Sequence, residues 1–327
     1  MKRTVSLVTG GAGFIGSHIC GLLLERGDEV RVLDNFSTGK RENIREAESR
    51  HAGQLRLVLG DIRDSKVLRD VMSGADLVFH QAAVVSVQKS VEDPLGTHSV
   101  NLEGALKVFE AARAAGLRKV VFASSTAIYG DSEELPKRED MKPNPLSPYA
   151  ATKYAAEVYA SIYSNLYQTP VVCLRYFNVF GPRQDPKSEY AAVIPKFVTR
   201  MLSGQVPVIY GDGEQTRDFV FVEDVARANL LAANSSVAGV SLNIASGRRY
   251  SLNSLIAALN GILGLDCRPK HEAPRLGEVR DSHADISLAG SALGYTPQVG
   301  LDEGLRRTVE WFRKAGAASG VEGQSWT

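Results

Sequence analysis

Tyr149 and Lys153 stand four residues apart in a stretch with helical spacing, so their side chains share one helix face. A free phenol has a pKa of ~10 and is a poor base at neutral pH. A neighbouring ammonium favours the phenolate. Bringing the phenol to neutrality takes roughly 3 units, or about 4 kcal/mol of differential stabilisation. A second cation in a closed cleft would help to supply it. Near the start of the chain, the run from Thr9 to Gly16 contains Gly10, Gly11, Gly13 and Gly16. Gly11, Gly13 and Gly16 fit the G-x-G-x-x-G spacing, and Gly10, Gly13 and Gly16 fit G-x-x-G-x-x-G. Such a turn lets a dinucleotide pyrophosphate approach the backbone at a helix N-terminus, with Phe14 and Ile15 opening the helix. A redox dinucleotide beside a tyrosine base implies hydride chemistry at a carbinol. The alternatives are a chance Y-x-x-x-K pair and a plain tight turn.

Other residues fit the same chemistry. Asp34 closes the second apolar run, 18 residues after Gly16, followed by Asn35. A carboxylate there accepts from ribose hydroxyls and repels a 2′-phosphate, which favours NAD over NADP. Lys40 and Arg41 keep NADP open. Asp61 and Ile62 follow the third run and suit the adenine amine, although Asp61 reads equally as a helix N-cap. Gln81, Ala82 and Ala83 follow the fourth run, where small residues let the nicotinamide half lie close. Asn101 is either part of this set or a core polar residue that stitches strands together. Ser124, Ser125 and Thr126 follow the fifth run, at a strand end where ligands bind in this architecture. One of these hydroxyls would bond the reacting oxygen. The six histidines and the cysteines show no metal spacing, and His80 reads as structural.

These residues need a sheet edge to hold them. Apolar runs at Val5–Thr9, Glu29–Asp34, Leu55–Gly60, Leu77–His80, Lys119–Ser124 and Val171–Tyr176 alternate with amphipathic stretches at Gly13–Arg26, Ser65–Met72 and Leu102–Ala115. That rhythm predicts an α/β fold with a doubly wound parallel sheet of Rossmann type. After Tyr176 the rhythm breaks. Phe177–Tyr190 reads as loop, Val193–Leu202 as helix, Phe219–Val222 and Leu242–Ala245 as strands around a helix at Glu223–Ala233. Helices at Leu252–Leu263 and Leu301–Lys314 follow. The expected division is 1–176 plus about 217–245 in a cofactor domain, with about 177–216 and 246–315 in a smaller C-terminal substrate lobe. Residues 316–327 read as a flexible tail.

The chain has 327 residues, 44% hydrophobic and 23% charged, with net charge +1. That balance offers no field for nucleic acid or a membrane surface. Cys20, Cys173 and Cys267 are far apart and fit free thiols in a reducing compartment. Met1–Arg3 is basic, but the apolar run that follows is too short for a signal core. A cytoplasmic protein without a membrane span is expected.

The ordered set of motifs resembles the extended short-chain dehydrogenase/reductase family. It comprises the run from Thr9 to Gly16, Asp34–Phe36, Gly60–Ile62, Ser124–Ser125, the Tyr149/Lys153 pair and Arg175–Pro182. More narrowly it resembles NAD-dependent UDP-sugar 4-epimerases, over nearly the whole chain. Ala191–Lys196 and Gly211–Asp218 resemble the branch that acts on UDP-N-acetylhexosamines.

The resemblance implies Ser125 as catalytic hydroxyl, Tyr149 as base and Lys153 as its electrostatic partner. Tyr176 joins the cofactor set. Asn178 would contact the sugar diphosphate, and Arg217 and Arg275 the UDP phosphates, unless they are surface charges. Val193 and Tyr210 would hold uracil and ribose. Asp281 and Ser282 would lie in the segment over the hexose, with Ser282 as gate unless it caps a turn. Reversible epimerisation at C4′ of UDP-GlcNAc/UDP-GalNAc, and also of UDP-Glc/UDP-Gal, would then pass through hydride transfer to bound NAD and a 4-keto sugar. Dehydrating relatives carry an Asp-Glu pair where this chain has Thr126 and Ala127, which argues against dehydration. A uronate epimerase or decarboxylase and a non-catalytic NAD sensor remain alternatives. The resemblance also implies a homodimer through helices at Leu102–Ala115 and Tyr149–Tyr163.

Overall fold

Strands β1 (Val5–Thr9), β4 (Leu77–His80), β5 (Lys119–Ser125) and β6 (Val171–Tyr176) are buried along their whole length. Near-continuous apolar runs of this kind belong to a parallel sheet covered on both faces. In the computed structural model, which describes residues 3–186, 192–274 and 279–318, they join β2 (Glu29–Asp34), β3 (Leu55–Leu59) and β7 (Ser241–Ile244). The order is β7-β6-β5-β4-β1-β2-β3, and every pairing is parallel. This is the doubly wound order, with its switch point between β1 and β4.

One face of the sheet packs on the Phe14–Glu25 and Val222–Asn234 helices, whose Ile19, Leu23, Val225 and Ala232 are fully buried. The other face packs on Ser65–Met72, Gly104–Ala114 and Pro148–Leu166, through Leu68, Val108, Phe109 and Ala156. A separate core gathers Phe180, Phe197, Ile209, Phe219, Leu255 and Leu305. It is built around the Val193–Leu202, Leu252–Leu263 and Leu301–Ala318 helices.

Several expected boundaries move. The third strand stops at Leu59, and the fifth runs on to Ser125. The stretch expected as loop from Phe177 contains a strand, Asn178–Phe180, because a distant partner, Phe219–Phe221, supplies its ladder. Val222 starts a helix rather than ending that partner strand. The helix expected from Leu102 begins as a π-helical turn, Ser99–Glu103, and its Ala105, Val108, Phe109 and Ala112 face inward. The last helix continues to Ala318, past the start of the expected tail, while 319–327 lie outside the described residues. Cys20 and Cys173 are buried free thiols, and Cys267 is half-buried. No helix among the described residues is long and apolar enough to cross a membrane.

Candidate active site

The carboxyl ends of the strands bring the expected residues to one edge. At the switch point Gly10 has φ +69°. A Cβ there would lie 2.7 Å from the Ala82 nitrogen. At Gly16 it would lie 2.2 Å from the Gly10 carbonyl oxygen. Glycine is therefore obligatory at both positions on packing grounds. Gly13 caps the Phe14–Glu25 helix without a side chain, and its N–H donates to Gly10 O at 3.0 Å. This leaves the first-turn amides for an anion, the cradle a dinucleotide pyrophosphate requires.

Asp34, buried at the end of β2, accepts from Ala12 N at 2.9 Å and from Phe36 N at 2.8 Å. It holds the glycine turn and presents acceptors beside it. The two cations that left NADP open are engaged elsewhere, Lys40 with Asp185 at 3.0 Å and Arg41 with Glu48 at 3.3 Å. Asn35 Nδ2 donates to Asp61 at 3.1 Å. Asp61 also receives Arg63 N, Nε and Nη2 at 2.8–2.9 Å. The Arg63 hydrogen bonds hold its carboxyl down to about 2. It caps no helix, since Asp64 caps Ser65–Met72. With four donors already on Asp61, an adenine amine would have to compete with Arg63. Ile62 is buried in the core.

Under the middle of the edge, Gln81 Nε2 donates to the Tyr176 hydroxyl at 3.2 Å, and Asn229 Nδ2 donates to it at 2.8 Å. Burial pushes the Tyr176 phenol up, so it stays protonated. Ala82 N donates to Thr9 Oγ1 at 3.4 Å, and Ala83 follows it half-buried on the same loop. Thr9 Oγ1 lies 2.7 Å from His80 Nδ1. Burial holds His80 down to about 3, so it is a neutral structural group. Asn101, on the π turn, accepts from Val84 N at 2.8 Å and donates to Val84 O at 2.9 Å. It stitches the loop after β4 to helices rather than strand to strand.

The candidate catalytic residues converge at β5 and the Pro148–Leu166 helix. Ser147 caps that helix by accepting from Ala150 N, and Pro148 occupies its first turn. Tyr149 follows, half-buried, with its phenol beside the Ser125 hydroxyl. Ser125 Oγ also accepts from Ala127 N at 3.2 Å, capping the turn that Thr126 begins. Lys153 Nζ donates to Ala123 O at 2.8 Å and lies 5.9 Å from the Tyr149 ring centroid. Burial lowers Lys153 to about 8. Burial also raises the Tyr149 phenol, against the lowering expected of the Tyr/Lys pair. The cause is that burial removes water from the phenolate and outweighs the Ser125 hydrogen bond.

Ser124 departs from expectation. Adjacent strand residues point to opposite faces, and its hydroxyl donates to buried Glu157 at 2.5 Å, away from Ser125. Glu157 pairs with Arg175 at 2.7 Å, and Arg175 Nη1 donates to the Tyr129 hydroxyl at 2.9 Å. Sequence reasoning missed Glu157, although the 149/153/157 spacing put it on the helix face of Tyr149 and Lys153. Asn229 was also missed; a polar residue on the apolar stripe of its helix was the signal.

The substrate candidates lie on neighbouring elements. Asn178 starts the short strand beside Phe219, and its N and Nδ2 donate to Asp218 O. Arg217 Nη1 donates to Thr216 O and Arg280 O at 2.9 and 2.8 Å. Asp281 accepts from Thr216 N and Oγ1, and Ser282 N donates to Thr216 O at 3.0 Å. Ser282 lies in an extended segment, so the turn-cap reading fails; Asp285 accepts from Ser287 N and opens the helix that follows. Val193 opens its helix, and Tyr210 ends the Val208–Tyr210 strand. Arg275 lies outside the described residues.

Residues 6–245 match the NAD dependent epimerase/dehydratase family. A putative UDP-glucose 4-epimerase of Methanocaldococcus jannaschii is 42% identical over 309 residues, covering 94% of this chain and 98% of the relative. The UDP-N-acetylglucosamine 4-epimerase of Methanobrevibacter ruminantium, solved in complex with UDP-N-acetylmuramic acid, superposes with TM-score 0.92 at 41% identity, covering 96% of this chain and 100% of that one. The Thermus thermophilus UDP-glucose 4-epimerase, solved with NAD, gives 0.85 at 40%, covering 95% and 100%. With the glycine cradle, the Asp34 carboxylate and the Ser125–Tyr149–Lys153 cluster on one strand edge, the chain belongs to the NAD-dependent epimerase/dehydratase family.

Proposed function

We propose that the protein is a UDP-hexose 4-epimerase that interconverts UDP-GlcNAc with UDP-GalNAc and UDP-Glc with UDP-Gal. The observation that carries this is the convergence of Ser125, Tyr149 and Lys153 at the same sheet edge as the glycine cradle. The names of the relatives support the UDP-sugar class. The small Ser282 in the expected hexose segment supports the acetylated pair.

Gly10, Gly13, Phe14, Ile15 and Gly16 would hold the pyrophosphate, and Asp34 with Asn35 the adenosine ribose. Ile62 would lie at the adenine, while Gln81, Ala82, Ala83, Asn101 and Tyr176 line the nicotinamide half. NAD, when bound, supplies the reversible hydride acceptor and a positive charge. Tyr149 takes the proton from the sugar 4′-hydroxyl and returns it, and Ser125 bonds the same oxygen. Lys153 fixes the helix against β5 and contributes its charge. Asn178, Arg217 and Arg275 would hold the diphosphate, and Val193 and Tyr210 the uridine. Residues 1–176 with about 217–245 would form the cofactor side, and about 177–216 with 246–315 the sugar side.

We also place a second copy of the chain on the Pro148–Leu166 helix. Val158, Tyr159, Ile162 and Leu166 form an exposed apolar stripe at spacings of 1, 3 and 4, with exposed Val87, Val91 and Leu95 on the preceding short helices. The test of function is proton NMR of the purified protein with UDP-GlcNAc and with UDP-Glc. Each should give its C4′ epimer, and conversion of neither would reject the reading.

A further inference from the structure

Asp218 sits between Arg217 and Phe219, where three chain segments meet, and its carboxylate is fully buried. Oδ1 accepts from Ser246 N at 2.8 Å and from Ser246 Oγ at 2.7 Å. Oδ2 accepts from Ala284 N at 3.2 Å. Its backbone oxygen accepts from Asn178 N and Nδ2 at 3.2 and 3.4 Å. One residue therefore touches the strand that carries Asn178, the loop after β7 and the segment that carries Asp281 and Ser282.

That segment is otherwise tied mainly by backbone. On one side Thr216 N donates to Arg280 O at 3.1 Å and Ser282 N to Thr216 O at 3.0 Å. On the other, Lys137 N donates to His283 O at 2.7 Å and Asp285 N to Lys137 O at 2.9 Å. Two carboxylates add to these ties: Asp281 accepts from Thr216 N and Oγ1, and the buried Asp218, next to Arg217, accepts from Ala284 N. Burial pushes this carboxyl up from its usual value, against the pull of its three donors and His283. A buried acid held by uncharged donors is costly to keep. Such a group fits a task that needs two acceptor oxygens aimed in two directions.

We propose that Asp218 is a positioning residue that sets sugar selectivity, by fixing the Asp281–Ala284 segment against Asn178 and Arg217. It acts through those groups and touches no reacting atom. The proposal rests on the UDP-hexose reading above.

Asp218→Asn tests it with nearly the same shape. An amide has a single acceptor oxygen; with that oxygen on Ser246, its NH2 faces the Ala284 N–H, donor against donor. Losing one charge-assisted hydrogen bond corresponds to roughly a tenfold change. The expected result is KM for the UDP-sugars raised about tenfold, kcat within about threefold, and unchanged NAD content. The kcat/KM ratio of the acetylated to the plain pair shifts, and the Ala284 amide exchanges faster with solvent. Ser246→Ala removes the hydroxyl donor to Asp218, along with the 3.2 Å bond that Oγ accepts from Arg248 N, and should move KM, ratio and exchange the same way, by about threefold; it replaces the first variant if that does not fold. Unchanged KM and ratio, or a parallel loss of kcat and NAD, overturns the proposal. If the wild-type protein converts no UDP-hexose, the functional reading fails, while Ala284 exchange and the affinity for UDP still report on Asp218; unchanged values for both in the variant overturn the proposal.

Discussion

Lys153 Nζ donates to the Ala123 carbonyl oxygen at 2.8 Å, two residues before Ser125, and so pins the Pro148–Leu166 helix to the strand that ends in Ser125. Burial lowers this ammonium to about 8 from 10.5. In the unfolded chain the amine keeps its proton up to the higher value. Between these two values the unfolded state binds more protons, so wild-type stability rises with pH relative to a variant without the amine. Against Lys153→Met, the wild type should gain about 3 kcal/mol between pH 7 and pH 10.5, read from denaturant unfolding at each pH. A difference independent of pH would show that Lys153 is not buried as a charge. The variant should also lose turnover.

Tyr149→Phe keeps the ring and removes the oxygen that meets Ser125. Fold and NAD content should survive. Epimerisation should drop by ~10²–10⁴-fold, the usual contribution of a general base. Near wild-type turnover would mean that another group moves the proton.

Gly16→Ala puts a methyl group 2.2 Å from the Gly10 carbonyl oxygen, so the turn must open. We expect purified protein with little NAD and a stability loss of about 1–3 kcal/mol, the range for overpacking. NAD released on denaturation, measured by absorbance, is the readout. Full occupancy would place the cofactor away from this turn.

Ser282→Tyr tests the gate. The segment is held by backbone bonds on both sides, so a large side chain cannot be absorbed by moving it aside. The acetylated sugar pair should be abolished while the plain pair persists, since overpacking takes the space of the acetamido group. Equal loss on both pairs, or none, removes Ser282 from that role.

Light scattering at micromolar concentration should give twice the chain mass. Val158→Asp with Ile162→Asp should halve it, because charges would be buried in a self-complementary face. A monomeric wild type would end this idea.

The βαβ half was legible because each strand is its own apolar run and each helix carries one buried stripe. The β1, β2, β4 and β6 boundaries agree with expectation to the residue. Asn178–Phe180 was not, since a three-residue strand exists only through its pairing with Phe219–Phe221. The position of Ser125 beside Tyr149 followed from motif order, but Ser124 did not. Its direction depends on a buried carboxylate 33 residues away. The raised Tyr149 phenol was hidden too, because burial is a property of the whole cleft rather than of the pair.

The insertion of residues 177–240 between two adjacent strands has a consequence for synthesis. The β6 edge gains its neighbour β7 only once Ser241–Ile244 has left the ribosome. Phe180 and Phe221 wait longer, for the close approach of Gly304 on the last helix. A nascent chain ending near residue 300 thus exposes the apolar faces that Leu305, Val309 and Phe312 later cover. The second half of this protein matures only once the Leu301–Ala318 helix has emerged, and a truncation that removes that helix leaves a chain fit for chaperones rather than for catalysis.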